Sequence, residues 1–519
     1  MTTSVSSLVG GVWRDDAPGG ELDIRNPARL DEPVAAARLG DATTFVEACR
    51  AAREAQARWA RVPAPVRGRA IQQLGRLVED NAETLARILT REIGKPLREA
   101  RGSVQEVVDT CNFFVSEGRR LYGMTVPSEL PDKQLFTFRN PVGVAGIVTA
   151  GNFPLAVPSW YLVPALLCGN AVVWKPAEYA PATSEALARL FVHAGFPAGV
   201  FNMVLADGPT AFDGLERALA EGLVDKVGFT GSTEVGRRIG ELCGRHLQAA
   251  CLELGGKNPL VVMPDADLDL AAEGALFSGF GTAGQRCTSL GTVIVHSSVH
   301  DDLLERFAGA VESAAIGDPF EDVLYGPMIS SRFCDRFLGW LDWIRPHHEL
   351  RGSTAIGRIT ATSPRAGFVG DPGRGLFVHP TIVDGVTADD DLYKQETFGP
   401  IVGVATFEQF DEAVALANGH GYGLSSSIYT NDPRSVFGFR ERVSAGMVSV
   451  NNSTSGAEAH LPFGGNGRSG NGSRQSGVWV LDQFTRWQAM NWDYSGRLQK
   501  AQMDVVDLTG DPSFRLTGD

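Results

Sequence analysis

Two residues of this chain are suited to one another's chemistry. Cys287 lies in Gly284-Gln285-Arg286-Cys287-Thr288, a thiol in a glycine-rich loop. Glu253 lies in Leu252-Glu253-Leu254-Gly255-Gly256-Lys257, a carboxyl in an apolar setting. A thiol is nucleophilic as the thiolate, and a positive neighbour such as Arg286 lowers its pKa. A carboxyl among apolar groups titrates above its usual range and can act as a base near neutral pH. Together they can make and then break a thioester, which is the chemistry of aldehyde oxidation. Each also has a plain structural reading. Most cysteines are buried and inert, and a glutamate at a strand end commonly faces solvent.

Other candidates surround this pair. Asn152, in Ala150-Gly151-Asn152-Phe153-Pro154, directly follows an apolar strand. Ligands of open α/β sheets bind at the carboxyl ends of strands. An amide there can donate to a developing oxyanion, an effect worth about 10²–10³ in rate; a turn asparagine beside proline is the simpler alternative. Gly231-Ser232-Thr233-Glu234-Val235-Gly236 follows another strand and opens a helix, whose first amides can hold a pyrophosphate. Its spacing fits neither a P-loop nor G-x-G-x-x-G. Trp174-Lys175-Pro176-Ala177-Glu178 puts a lysine and a glutamate at a strand edge, where they can hold ribose hydroxyls or simply pair. A carboxylate there repels a 2′-phosphate and favours NAD over NADP. Glu396-Thr397-Phe398 offers a second carboxylate and an aromatic wall.

The elements that must position these residues are read from periodicity. Residues 40–122 read as helices. Leu85, Ile88, Leu89 and Ile93 share one helical face, with a stop signal at Gly94 and Pro96. From about 135 the pattern alternates. Val144-Ala145-Gly146-Ile147-Val148, Ala171-Val172-Val173-Trp174, residues 201–205 and residues 226–229 read as strands with helices between them. A second alternating stretch runs from about 257 to 450. Strands alternating with helices predict parallel sheets with helical crossovers. The Gly/Arg/Pro/Thr-rich stretch 351–375 reads as an irregular surface loop. Trp479, Phe484, Trp487 and Trp492 crowd a late segment and need a surface to bury them, such as another subunit.

Bulk properties narrow the class. The chain has 519 residues, 43% hydrophobic and 21% charged, with net charge −14. That is ordinary for a globular protein of two to four domains. The acidic balance and the lack of a Lys/Arg cluster argue against nucleic acid. No apolar run approaches a membrane span, and the start lacks an export signal. The seven cysteines are odd in number and form no Cys-x-x-Cys, so a reducing cytoplasm is expected and no metal site. His347-His348 reads as part of a solvated loop.

Taken in order, these motifs resemble the aldehyde dehydrogenase superfamily, from about residue 20 to about 500. The resemblance implies an α/β fold. A Rossmann-like dinucleotide-binding domain would comprise 1–124 and 142–255, and a second α/β catalytic domain 256–455. A small β oligomerisation arm would comprise 125–141 and 476–500. It implies a homodimer or homotetramer. It makes Cys287 the nucleophile, Asn152 the oxyanion donor and Glu253 the base for the hydrolytic water. NAD would be held by Lys175, Glu178, Gly231, Ser232, Leu254, Glu396 and Phe398. A glutamate at 253 favours water over coenzyme A as acyl acceptor.

Several segments further resemble the antiquitin group, the α-aminoadipic semialdehyde dehydrogenases. They are 282–288, Leu424-Ser425-Ser426-Ser427-Ile428 and Thr454-Ser455-Gly456-Ala457-Glu458. This likeness implies that Glu106 receives a substrate amine and Arg286 its carboxylate, with Gly456 and Ala457 in the loop that anchors the aldehyde. Trp174–Glu178 and Leu461-Pro462-Phe463-Gly464-Gly465 look like the wider superfamily. Gly151 stands where many members carry a large aromatic, which implies a roomier pocket. An aromatic or broad aliphatic aldehyde is the rival substrate class, and a non-catalytic relative is the rival to an enzyme.

Overall fold

The computed structural model describes residues 3–518. Two seven-stranded sheets organise the chain. In the first, the order is Cys251–Glu253, Lys226–Thr230, Val144–Val148, Ala171–Lys175, Phe201–Met203, Leu8–Val9, Val12–Trp13. The first five of these are parallel; the last two join antiparallel. These five strands are buried on both faces, which is why they read as unbroken apolar runs rather than alternating ones. The chain leaves Val144–Val148 towards one edge and returns on its other side. A crevice opens at such a reversal of strand order, beyond the carboxyl ends of the strands.

The second sheet runs Glu349–Arg351, Thr381–Asp384, Ile401–Phe407, Leu290–His296, Asn258–Val262, Ser425–Tyr429, Met447–Val450. It is parallel except for its first strand. Helices Ala42–Trp59, Ala64–Asp80, Ala82–Ile93 and Leu97–Arg120 precede the first sheet's central strands. Gly94 closes the third of them in the left-handed conformation, at φ 73°, which a residue with a Cβ resists. No described helix is long and apolar enough to cross a membrane.

A third sheet pairs Thr485–Asp493 antiparallel with Lys133–Pro141, which also pairs Thr125–Pro127. Trp487 and Trp492 are exposed on it, whereas Phe484 is buried against the core. Before the helices, in a stretch for which the sequence suggested no element, Thr3–Val5, Gly20–Asn26 and Arg29–Leu39 form a separate sheet. The 351–375 loop is less irregular than its composition suggests, because Phe368–Val369 pairs with Ile316–Gly317. His347 and His348 are not part of a freely solvated loop. Their rings pack 4.1 Å apart, and Nε2 of each lies 3.2 Å from Asp390. His348 Nδ1 accepts the Arg345 amide at 2.9 Å.

Candidate active site

Cys287 sits between a turn of 3₁₀ helix, Gly281–Gly284, and the strand Leu290–His296. The approach is tightly wound: Thr282, Ala283 and Gly284 have φ of 52°, 54° and 65°. Two of these carry a Cβ, a conformation that costs about 1–3 kcal/mol each and persists only where neighbours enforce it. The enforcing contacts are present. The Thr282 amide donates to Glu99 at 3.1 Å, and Gln285 Nε2 donates to the Thr282 carbonyl at 3.1 Å. The Ile329 amide donates to Gln285 Oε1 at 3.0 Å. Behind the sulfur, Asn258 Nδ2 donates to the Cys287 carbonyl at 2.8 Å. Gly256 lies so close that a Cβ there would stand 2.4 Å from that same oxygen, which explains the glycine.

Asn152 reaches this loop from the first sheet. It is buried, and its Nδ2 donates to the Gln285 carbonyl at 3.0 Å. An amide nitrogen has two hydrogens, so one remains to donate elsewhere. Glu253 ends the strand Cys251–Glu253 and is 1% exposed. Neither carboxyl oxygen has a hydrogen-bond partner among the described residues. Burial therefore pushes its pKa well above the usual carboxylate range. Burial also pushes the Cys287 thiol up, and the nearby charges of Glu253 and then Glu396 push it further. The thiol rests protonated and must give up its proton before attack.

A tunnel of about 350 Å³ ends at Cys287 and Asn152. Lys175, Glu178, Gly231, Ser232, Leu254, Glu396 and Phe398 all line it. Lys175 Nζ is 3.1 Å from Glu178. Burial raises the Glu178 carboxyl, but Lys175 outweighs it and holds the group below its ordinary pKa. Ser232 caps the helix Thr233–Arg245, accepting the Val235 amide at 3.4 Å. Leu254 packs on Gly236 of that helix. Glu396 accepts the Gly256 amide at 3.1 Å and is pushed up to about 7 by burial.

Two expectations need correction. Arg286 is not free to receive a substrate carboxylate, nor does it lower the thiol's pKa. It is buried, pairs with Glu99 at 2.5 Å and stacks over Phe277 at 4.5 Å. Burial alone would raise Glu99, but Arg286 and Lys95 hold it below its ordinary pKa. The second concerns Gly151, whose missing side chain leaves no extra room. A Cβ there would stand 2.6 Å from the Tyr179 ring and 2.8 Å from Ala177 Cβ.

Glu106, on the helix Leu97–Arg120, lies outside the tunnel lining. Burial pushes it up to about 7, and its Oε1 has no partner among the described residues. Lys95 is pushed down to about 7 by burial, with its Nζ 3.2 Å from the centre of the Phe153 ring. Gly456 and Ala457 follow Thr454, whose hydroxyl donates to the Thr288 carbonyl at 2.8 Å. Ala457 and Cys287 pack against the same apolar cluster. Sequence reasoning missed Tyr179, Phe333, Arg332 and Arg336, which also line the tunnel. For Tyr179 the signal was its place right after Lys175-Pro176-Ala177-Glu178. The other three lie on the helix Ser331–Trp340, which carries no motif.

The sequence profile of the aldehyde dehydrogenase family matches residues 13–490. The chain belongs to the aldehyde dehydrogenase family. Among relatives of this aldehyde dehydrogenase, an alpha-ketoglutarate semialdehyde dehydrogenase of Haloferax volcanii is 37% identical over 489 residues. That match covers 93% of this chain and 98% of the relative. An alpha-aminoadipic semialdehyde dehydrogenase of Bos taurus is 36% identical, covering 91% of this chain and 86% of that one. Among solved structures, betaine aldehyde dehydrogenase of Staphylococcus aureus in complex with NAD+ superposes with a TM-score of 0.89. It is 28% identical, with 96% of this chain and 99% of that chain covered.

Proposed function

We propose that this aldehyde dehydrogenase oxidises a semialdehyde with a carboxylated tail to the acid, using NAD and a thioester on Cys287. The observation that carries the reading is that Cys287 and Asn152 line one cavity, with Glu253 buried close enough to act on the thiol. The tunnel fits a dinucleotide. A capped helix N-terminus can face a pyrophosphate, and Lys175 and Glu178 can hold ribose hydroxyls at a strand's carboxyl end. When bound there, the nicotinamide supplies the hydride acceptor.

The chain's own groups do the rest. The Cys287 proton leaves to solvent through the tunnel, and the thiolate attacks the aldehyde carbon. Asn152 and the Cys287 amide donate to the oxyanion. After the oxidation, Glu253 removes a proton from water, which attacks the thioester and frees the acid. The 142–255 segment with 1–124 forms the dinucleotide domain on this reading, and 256–455 the catalytic one. Segments 125–141 and 476–500 form an arm that joins copies of the chain through its exposed tryptophans.

The substrate class rests on two supports. The relatives named above act, by name, on semialdehydes that carry a carboxylate. With Arg286 paired to Glu99, Lys95, near enough to Cys287 for their charges to interact, is the cation left for that carboxylate. The test is NADH formation from α-aminoadipic semialdehyde, α-ketoglutarate semialdehyde, benzaldehyde and a short alkanal, each with and without coenzyme A. A carboxylated semialdehyde should give the highest kcat/KM, without need of coenzyme A. Preference for benzaldehyde or the alkanal would replace the substrate class. A strict need for coenzyme A would remove water as the acyl acceptor.

A further inference from the structure

The gap above Gly151 is filled by one side chain from a neighbouring strand end. Tyr179 Oη accepts the Gly151 amide at 3.1 Å, and the Tyr179 ring occupies the space a Cβ on Gly151 would need. The ring's other edge meets Phe333, at 5.3 Å and 75° between planes. Phe333 in turn lies 5.8 Å from Phe398. All three rings line the tunnel. The residue after Gly151 is Asn152, whose amide is fixed on its far side by the Gln285 carbonyl. The Gly151 amide, in the 150–151 peptide, and the Asn152 side-chain amide are therefore held at two points, one by the Tyr179 hydroxyl and one by the cysteine loop. A peptide is planar, so the direction of one amide constrains where the next Cα points its side chain.

We propose that Tyr179 is a positioning residue that holds the 150–151 peptide, and through it the backbone leading into Asn152, so that the Asn152 side-chain amide stays aimed at the oxyanion. The proposal rests on the functional reading above, because it takes Asn152 as the donor. Size matters as well as the hydrogen bond. The glycine at 151 and the tyrosine at 179 are complementary, and either would be out of place without the other. Burial raises the phenol to about 12, so the hydroxyl stays neutral across the working pH range and the bond to the Gly151 amide does not switch with pH.

The test uses the full-length protein and two reactions. One is NADH formation from an aldehyde. The other is cleavage of p-nitrophenyl acetate without dinucleotide, which needs only the thiol and the oxyanion donors. Y179F should lower both rates about tenfold while the KM for NAD changes less than twofold. G151A should do the same, because its Cβ meets the ring. In an A177G/Y179A background, adding G151A should change ester cleavage less than twofold, because both the ring and the Ala177 methyl that a Cβ would meet are gone. Thermal midpoints and NAD fluorescence quenching check that each variant is folded.

The proposal is overturned if Y179F leaves ester cleavage intact and raises only the KM for NAD. Tyr179 would then be a cofactor wall and nothing more. It is overturned equally if G151A carries the same penalty in the native and in the A177G/Y179A background. Failure of the functional reading looks different: C287A would leave ester cleavage unchanged, or the native protein would oxidise none of the aldehydes.

Discussion

The Asn152 side-chain amide donates to the Gln285 carbonyl at 3.0 Å, and this bond joins the two halves of the active site. Asn152 follows a strand of the first sheet, whereas Gln285 lies just after the left-handed turn 282–284 and two residues before Cys287. Neither half is complete alone. On the proposed mechanism the oxyanion donor comes from one sheet and the nucleophile from the other, so the geometry of attack depends on how the two sheets are docked.

Removing the sulfur separates binding from chemistry. C287A should reduce steady NADH formation at least a thousandfold, since the covalent route is gone. Dinucleotide affinity, read by fluorescence quenching, should stay within about threefold. Unchanged kcat would refute the nucleophile assignment.

The raised pKa of Glu253 makes a prediction about pH. Its base form is present above that pKa and is lost as pH falls through it. Steady turnover should therefore fall with decreasing pH well above the ordinary carboxylate range near 4. In E253Q that acid limb should vanish and steady turnover should drop about a hundredfold or more. Pre-steady-state absorbance at 340 nm would read both. A profile in E253Q with the same acid limb would assign the titration to another group.

Arg286 and Glu99 form a largely enclosed ion pair, with side chains 5% and 18% exposed. Breaking such a pair from one side leaves an uncompensated charge and costs about 3–5 kcal/mol. R286M should lower the thermal midpoint and loosen the 282–287 turn, whatever the substrate. The KM for a carboxylated aldehyde should rise no more than that for an uncharged one. A selective rise for the carboxylated aldehyde, at unchanged stability, would restore Arg286 as its receptor.

Cofactor choice turns on Glu178, which pairs with Lys175 at 3.1 Å on the tunnel wall. Removing the carboxylate charge frees Lys175 to face a 2′-phosphate. E178Q should raise the ratio of kcat/KM for NADP to that for NAD about tenfold. A ratio that does not move would place the adenosine ribose away from this residue.

Much of this was legible in the sequence because the chemistry is carried by short contiguous motifs. The buried strands Val144–Val148, Ala171–Lys175 and Lys226–Thr230 are short apolar runs, and each ends at a residue of the tunnel or beside one. What stayed hidden depends on contacts between distant segments. Arg286 finds Glu99 across 187 positions, and no local pattern announces that partner. Gly151 suggested empty space because glycine says what is absent, not what fills the gap; the filling residue lies 28 positions on, at the end of the next strand. Gly20–Asn26 and Arg29–Leu39 are rich in charge and largely exposed along one edge, so apolar periodicity did not reveal them. His347 and His348 looked solvated until Asp390 was folded against them.

Trapping the intermediate tests the central claim most directly. E253Q is mixed with an aldehyde and NAD, quenched in acid within the first turnover, digested and weighed by mass spectrometry. The peptide containing Cys287 should gain the mass of one acyl group, and hydroxylamine should release it. An unmodified Cys287 peptide after a full burst of NADH, or the acyl group on any other residue, would contradict the account.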